Sequence, residues 1–318
     1  MNLKKLALAA AVTALAVPAM AQSQVTVYGR VDLSLAQQGD AADNKEMRNG
    51  SGSRLGFRGV EDLGGDLKAF FQIEHRFNAN DGDISSAAFW HGKSLVGLQG
   101  GFGRVWLGRD ETPAYVLGQT VADPWGTDTV AGNADIVRGG IGKQRYSSSV
   151  NYAYSMSGIS FGAQFAEADK NASGDSEDRP YSFGLGYKAG ALQLGFGYEN
   201  PSDKDDNWLT LYAGYNFGVA KVGAFFGTGN DTNDNKRQAY LLSAAAPLAG
   251  GEFRASYGQL KNKDAAANGI LRKQFGVGYH YPLSKRTTVY VDLVNKKRDN
   301  QNPANEKTGY DLGIKHNF

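Results

Sequence analysis

The sequence predicts an all-β protein, a 16-stranded antiparallel transmembrane β-barrel. Three observations carry this. Apolar and polar residues alternate with period two along nearly the whole chain beyond residue 21. The links between alternating segments are by turns short and long, the asymmetry of an outer-membrane barrel. The apolar face often ends in aromatic rings, among them Phe77, Phe165, Tyr187, Tyr215, Phe217, Tyr257, Tyr281 and Phe318, as two membrane interfaces select. Composition agrees, because 42 glycines, 16 tyrosines, 16 phenylalanines and only 8 prolines suit many strands with tight turns and suit helices poorly.

Residues 1–21 read as an address. Lys4 and Lys5 precede the apolar run Leu6 to Val17, Pro18 breaks it, and Ala19-Met20-Ala21 fits a signal-peptide cleavage site. The run is too short to span a bilayer as a helix. The expectation is therefore a signal peptide over 1–21 and one barrel over 22–318. Removing Lys4 and Lys5 takes the formal charge from +2 to near zero, which argues for no nucleic-acid partner. The absence of cysteine excludes disulfides, thiol catalysis and cysteine metal sites.

The first segment sets the pattern. Val25, Val27, Val31, Leu33 and Leu35 share one face, and Thr26, Tyr28, Arg30, Asp32 and Ser34 share the other. Sixteen such segments follow one another, including Ser53–Val60, Trp90–Leu98, Arg104–Leu107 and Gly309–Phe318. Seven short turns and eight long polar loops join them, which leaves both ends on the short-turn side. Gln37–Gly52 is read as the first long loop, and Asp110–Gln144, the third, is the longest. A soluble β-sandwich would also alternate; the aromatic rims and the charged second face favour the barrel.

Parity places twelve bases on the inward face (Arg30, Arg54, Arg58, Lys68, Arg76, Lys93, Arg104, Arg145, Lys188, Lys221, Arg254, Lys315). It places six acids there: Asp32, Glu74, Glu199, Glu252, Asp292 and Asp311. The surplus of positive charge would favour anions in a water-filled tunnel; the bland alternative is that wall charges pair and cancel.

Other motifs are weaker. Gly158-Ile159-Ser160-Phe161-Gly162 has the spacing of a nucleophile elbow, yet it sits at a turn entering an alternating strand. His75, His91, His280 and His316 lack metal-ligand spacing. Asn171-Ala172-Ser173 fits a glycosylation sequon but reads more simply as a loop tip. No catalytic residue, metal site or cofactor is expected.

The chain resembles the trimeric general porins of Gram-negative bacteria. The resemblance rests on Val25-Thr26-Val27-Tyr28-Gly29, Ser53-Arg54-Leu55-Gly56-Phe57-Arg58-Gly59 and Glu61-Asp62-Leu63-Gly64-Gly65. It rests further on Gly101-Phe102-Gly103 with Leu107-Gly108-Arg109, on Leu283-Ser284-Lys285-Arg286-Thr287 with Tyr290, and on the final Gly313 to Phe318. It implies a homotrimer and a third loop folded inward to narrow a passive pore for small anions and hydrophilic solutes. The site set is Arg54, Arg58, Glu74, Arg76, Lys93, Arg104, Arg109 and Arg145 on the wall. Asp110, Glu111, Asp123, Asp128 and Asp135 belong to the loop. Arg54 and Arg145 match eyelet arginines, Glu74 matches a facing carboxylate, and His91-Gly92-Lys93 departs from the family's usual arginine there, with Lys93 a partial substitute. Phe318 resembles the signal read by the outer-membrane assembly machinery, beside a plainer role in the aromatic girdle. Outer-membrane lipid and lipopolysaccharide complete the expected partners. The competing readings are a substrate-specific channel, an outer-membrane enzyme and an adhesin on the same barrel. Inward Tyr28, Phe70, Trp106, Trp208, Tyr212 and Phe225 form no recognisable run for the first of these.

Overall fold

A computed structural model describes residues 24–39, 45–167, 179–201, 206–264, 269–298 and 306–318. Residues 1–21, the expected signal peptide, and Asn171-Ala172-Ser173 lie outside the described residues. In chain order the strands are β1 (Gln24–Gln37), β2 (Lys45–Asn49), β3 (Arg54–Gly64), β4 (Leu67–Arg76), β5 (Lys93–Gly100) and β6 (Gly103–Glu111). Then come β7 (Arg145–Met156), β8 (Ile159–Ala166), β9 (Tyr181–Ala189), β10 (Leu192–Asn200), β11 (Asn207–Asn216) and β12 (Lys221–Asn230). The chain ends with β13 (Lys236–Leu248), β14 (Gly251–Asn262), β15 (Ile270–Pro282), β16 (Thr287–Arg298) and β17 (Glu306–Asn317).

Every neighbouring pair is antiparallel, and pairing of β1 with β17 and with β3 closes the ring. Closure removes the unpaired strand edges that hydrocarbon would not tolerate. Seventeen segments make sixteen wall positions because β2 and β3 are one interrupted strand: β2 pairs with the upper half of β1, Leu33–Gln37, and β3 with the lower half, Gln24–Arg30. The loop expected over Gln37–Gly52 therefore contains a strand. The interruption has a chemical cause. Asp32 accepts Ser51 N at 3.0 Å and the Ser51 hydroxyl, while its own N–H donates to Ser53 Oγ at 3.0 Å.

The seven short connections hold two residues in five cases and four in the other two. Ser157 with Gly158 and Ala249 with Gly250 have positive φ at both central positions, the hairpin geometry whose twist matches the strands. The Gly158–Gly162 motif is thus a hairpin, and Ser160 Oγ accepts a bond from Ser155 Oγ at 3.0 Å rather than meeting a base.

The molecule is apolar outside and polar inside. Val96 (59% exposed), Phe165 (54%), Leu242 (62%) and Leu312 (57%) face outward, whereas Asp32, Gln164, Glu199, Thr210, Asp292 and Asp311 are wholly buried. A soluble fold would invert this. Such an outer surface suits hydrocarbon rather than water.

The chain end is packed into the seam. Gly29 N donates to Phe318 O at 3.0 Å and Phe318 N to Gly29 O at 3.1 Å. A side chain at Gly29 would stand less than 3.0 Å from the Phe318 ring. Gly29→Leu is expected to weaken the closed barrel by about 1–3 kcal/mol, the usual penalty for overpacking. Denaturant unfolding of the detergent-refolded protein measures it, and an unchanged midpoint would refute the packing argument.

Candidate functional site

The third loop, residues 112–144, folds into the barrel instead of outward. Its first turn, Tyr115–Gln119, rests on β9, β10 and β11. Inward glycines make room: a side chain at Gly184 would strike the Pro113 carbonyl, and one at Gly197 would strike Ala114. Ala122 and the later helical turn Ala134–Val137 bring Ile136 and Val137 into a small apolar cluster with Trp208, Phe225, Leu241 and Leu260. A second cluster joins loop residues Trp125, Val130 and Ala131 to Ala36 and Val294 of the wall. Trp208 and Phe225, inward aromatics in the sequence, are therefore loop seats.

Buried carboxylates tie the loop down. Glu199 accepts Gln119 Nε2 at 2.6 Å, Lys143 N at 3.1 Å and the Tyr146 hydroxyl at 3.3 Å. Asp292 accepts Trp125 Nε1 at 2.7 Å and contacts His280 Nε2 at 3.0 Å. Asp311 accepts Val130 N at 3.2 Å. Asp32 accepts the Tyr290 hydroxyl at 2.6 Å beside them. Four of the six inward acids thus serve construction rather than line open water.

Opposite the loop tip stands a basic row. Strand register sets Arg30, Arg54 and Arg76 side by side across β1, β3 and β4, with Lys315 opposite Asp32 on β17. Arg76 Nε donates to Glu74 at 3.0 Å, and Arg30 lies 3.6 Å from Asp128. Arg54 donates to two carbonyls, Gly52 O at 3.0 Å and Ser51 O at 2.7 Å, and forms no ion pair with any carboxylate among the described residues. Arg30 and Lys315 were in the inward set but not among the sequence-chosen site residues. Register, which parity alone does not give, is the signal that unites them.

The remaining site residues separate into groups. Asp110 and Glu111 belong to strand β6, not to the loop, because the strand passes a bulge after Gly108 (φ +116°) and pairs again with Tyr146 and Arg145. There Lys93 bridges Asp110 at 2.5 Å and Glu111 at 3.4 Å, and Arg145 bridges Glu111 at 2.8 Å. Arg145 is only 5% exposed, held in the wall by its partner. Strand β5 begins at Lys93, so Trp90, His91 and Gly92 precede it. Arg109, at the far end of β6, donates to the His91 carbonyl at 2.8 Å and to Ser147 at 2.8 Å. Arg58 lies over Tyr28, and Arg104 over Phe70 at 4.2 Å, both toward the short-turn mouth and apart from the row. Glu74 also accepts the Tyr28 hydroxyl at 3.2 Å.

The loop acids differ equally. Asp123 is a staple inside the loop: it accepts Thr127 N at 2.8 Å, Asn133 N at 2.7 Å and Asn133 Nδ2 at 2.9 Å. Burial pushes its carboxyl above the ordinary range in spite of these donors. Asp135 turns to Arg272 on the loop's other flank. Asp128 alone of the five faces the basic row. Enclosure between loop and wall raises it to about 6, against the opposing pull of Arg30, Arg54 and Lys315. Its side chain remains 35% exposed, so it still meets the lumen.

A closed barrel with an apolar exterior, a polar interior and one loop folded against a charged wall is a transmembrane channel. A family model described as Gram-negative porin matches residues 7–301. Outer membrane porin protein 32 of Delftia acidovorans is 32% identical, with 99% of this chain and all of the relative covered. The major outer membrane protein P.IB of Neisseria meningitidis serogroup A is 27% identical over 97% of this chain and 98% of its own length. Among solved structures, an anion-selective porin from Comamonas acidovorans superposes with a TM-score of 0.80 at 29% identity, covering 93% of this chain and 100% of that one. The chain belongs to the Gram-negative porin family, and its place is the bacterial outer membrane.

Replacing Glu199 by Ala removes the acceptor of three loop and wall donors. Each buried donor left unpaired costs about 1–3 kcal/mol. The loop is expected to loosen, seen as noisier open-channel current and more frequent brief closures than in the parent protein. A quiet channel indistinguishable from the parent would show that the loop is held by its apolar clusters alone.

Proposed function

We propose that the protein is a passive, water-filled pore with a preference for small anions, its selectivity set by Arg30, Arg54, Arg76 and Lys315 facing the single loop carboxylate Asp128. One observation carries this reading: three of the six inward acids, Glu199, Asp292 and Asp311, are spent on holding the loop, and although Glu74 pairs with Arg76, Arg54 remains unpaired by any described carboxylate. The anion selectivity stated for the Comamonas porin supports it. The proposal includes a homotrimer in outer-membrane lipid and lipopolysaccharide. It also includes export through removal of residues 1–21, and recognition of Phe318 by the assembly machinery. No catalytic role is assigned, since the named relatives are described as porins and outer membrane proteins.

Bilayer reversal potentials under a salt gradient test the selectivity. A unit charge about 4 Å from a permeating ion in watery surroundings is worth about 1 kcal/mol, or about fivefold in a permeability ratio. Arg54→Ser should lower the anion-to-cation ratio by about that factor, and less at high salt, where screening grows. A cation-favouring reversal potential in the parent protein would overturn the reading.

The pH dependence has a definite sign. Above about pH 6 Asp128 is ionised and offsets one wall charge; below it the carboxyl is neutral and the eyelet gains net positive charge. Anion preference should therefore rise as pH falls through about 6. Asp128→Asn should show the low-pH preference throughout and lose the step. A step that survives the substitution would assign it to another group.

A further inference from the structure

One sector of the outer wall carries a cluster of lysines at its long-loop end, outside the pore. Alternation puts Lys236 of β13, Lys261 of β14, Lys273 of β15 and Lys297 of β16 on the outward face, in line with Tyr240, Tyr257, Phe275 and Leu293. Lys263 follows β14 directly. Its N–H donates to Lys236 O at 2.7 Å, so these two stand across from one another. Lys273 and Lys297 are direct partners in register, and Lys261 faces Gln238. Lys273 Nζ also lies 5.6 Å from the centroid of the Tyr257 ring. The cluster begins at β13, because at the same level β12 presents Thr228 and Asn230, and β11 presents Asn207.

Like charges directly opposite on one face of a sheet are unfavourable, and this sector holds two such pairs. None of the five lysines forms an ion pair with a carboxylate among the described residues. Three acids adjoin the sector. Asp234 accepts Asn230 Nδ2 at 2.7 Å, Asp264 accepts Lys236 N, and Glu306 stands opposite Lys297 in register. Counting all three as full counterweights still leaves the lysines in excess.

What lies beneath identifies the surroundings. Tyr240, Tyr257 and Phe275 are exposed rings, and Leu242 and Leu293 are exposed beside them. Outward rings mark the level where hydrocarbon meets headgroups. Lysines just past them toward the long loops reach the headgroup layer of the outer leaflet, their stems along the apolar wall and their ammonium groups in the polar zone. A free anion would meet only the charge. A lipid lays its acyl chains on the apolar wall at the same time. From β13 to β16 the cluster spans about 14 Å at the usual strand spacing, wider than one phosphate group. Two phosphates on one headgroup engage both ends of it while losing their freedom of motion once.

We infer that the outward lysines of β13 to β16 bind an outer-leaflet lipid that carries two or more phosphates on one headgroup, the chemistry of lipopolysaccharide. The inference deepens the reading of a barrel seated in lipopolysaccharide and rests on it. It places that contact on one sector of the wall.

The test titrates the detergent-refolded protein with bisphosphorylated lipid A and with the same lipid stripped of phosphate, bound lipid being counted by native mass spectrometry. The parent should bind the bisphosphorylated form at least tenfold more tightly. Each lysine near an anionic lipid surface is worth about fivefold in affinity. Lys261→Gln combined with Lys273→Gln should therefore weaken binding about 25-fold. Lys45→Gln, an equal loss of charge on β2, should leave it within about twofold, since a general charge effect would weaken both variants alike. Single-channel conductance, set by the lumen, verifies that each variant is folded. Equal binding of the two lipids by the parent would overturn the inference. Phosphate-dependent binding that the double variant retains, or that Lys45→Gln loses equally, would overturn the lysine site while leaving lipopolysaccharide as a partner. No binding of bisphosphorylated lipid A by the parent would overturn both.

Discussion

A loop folded into a wet tunnel has no broad hydrophobic core to hold it, and that constraint orders most of this structure. The two apolar clusters at Trp208 and Trp125 are small. Directional polar bonds to buried acceptors must do the rest. Glu199 holds the loop on one side, and Asp292 with Asp311 holds it on the other. A carboxylate suits this use because it accepts several bonds at once, each strengthened by charge and by exclusion of water. The inward glycines of β9 and β10 are the steric half of the same arrangement, since they let the loop backbone lie flat on the wall.

The proposed selectivity follows from how those acids are used. An inward acid is normally a counterweight to inward bases. Here Glu199, Asp292 and Asp311 are withdrawn behind the loop, where their neighbours are chiefly amides, hydroxyls and an indole, with Arg48 3.8 Å from Asp311 and His280 beside Asp292, while Glu74 and Glu252 pair with Arg76 and Arg254. On the side near β6 the opposite happens: Lys93 and Arg145 are absorbed by Asp110 and Glu111. The charge presented to solutes is therefore narrower than the twelve-against-six surplus read from parity. Opposite the loop tip it comes down to the row on β1, β3, β4 and β17, with Glu74 beside Arg76 and one loop carboxylate, Asp128, facing it.

The barrel was legible in the sequence because a lipid-facing strand must alternate and a hairpin must turn with particular residues, and both constraints are local. The site was only partly legible. Arg54 is reached by parity and by resemblance to eyelet arginines, and Asp128 only as one of five loop acids. Arg30 could not be joined to Arg54 without register, since their contact depends on how two distant strands align. The bulge after Gly108 moved Asp110 and Glu111 into the wall, and nothing in a period-two pattern announces a bulge. Asp123 and Asp135 look like Asp128 in sequence; only folding decides that one becomes a staple, one turns to Arg272 and one meets the lumen.

Backbone strain shows why that last distinction matters. Thr127 and Thr129, on either side of Asp128, both lie in the left-handed region, with φ of +68° and +58°. β-branched residues avoid it, and each such residue costs about 1–3 kcal/mol. The strain persists because bonds on both sides over-determine the turn. Asp123 accepts Thr127 N at 2.8 Å, the Tyr115 hydroxyl meets Thr127 Oγ1 at 2.6 Å, and Val130 N donates to Asp311 at 3.2 Å. A relaxed turn would let the carboxylate of Asp128 swing into open water and be screened. Held as it is, 3.6 Å from Arg30, it contributes a fixed charge facing the basic row. The anchoring carboxylates and the strained threonines are thus two halves of one device, and what it positions is a single negative charge against a row of positive ones.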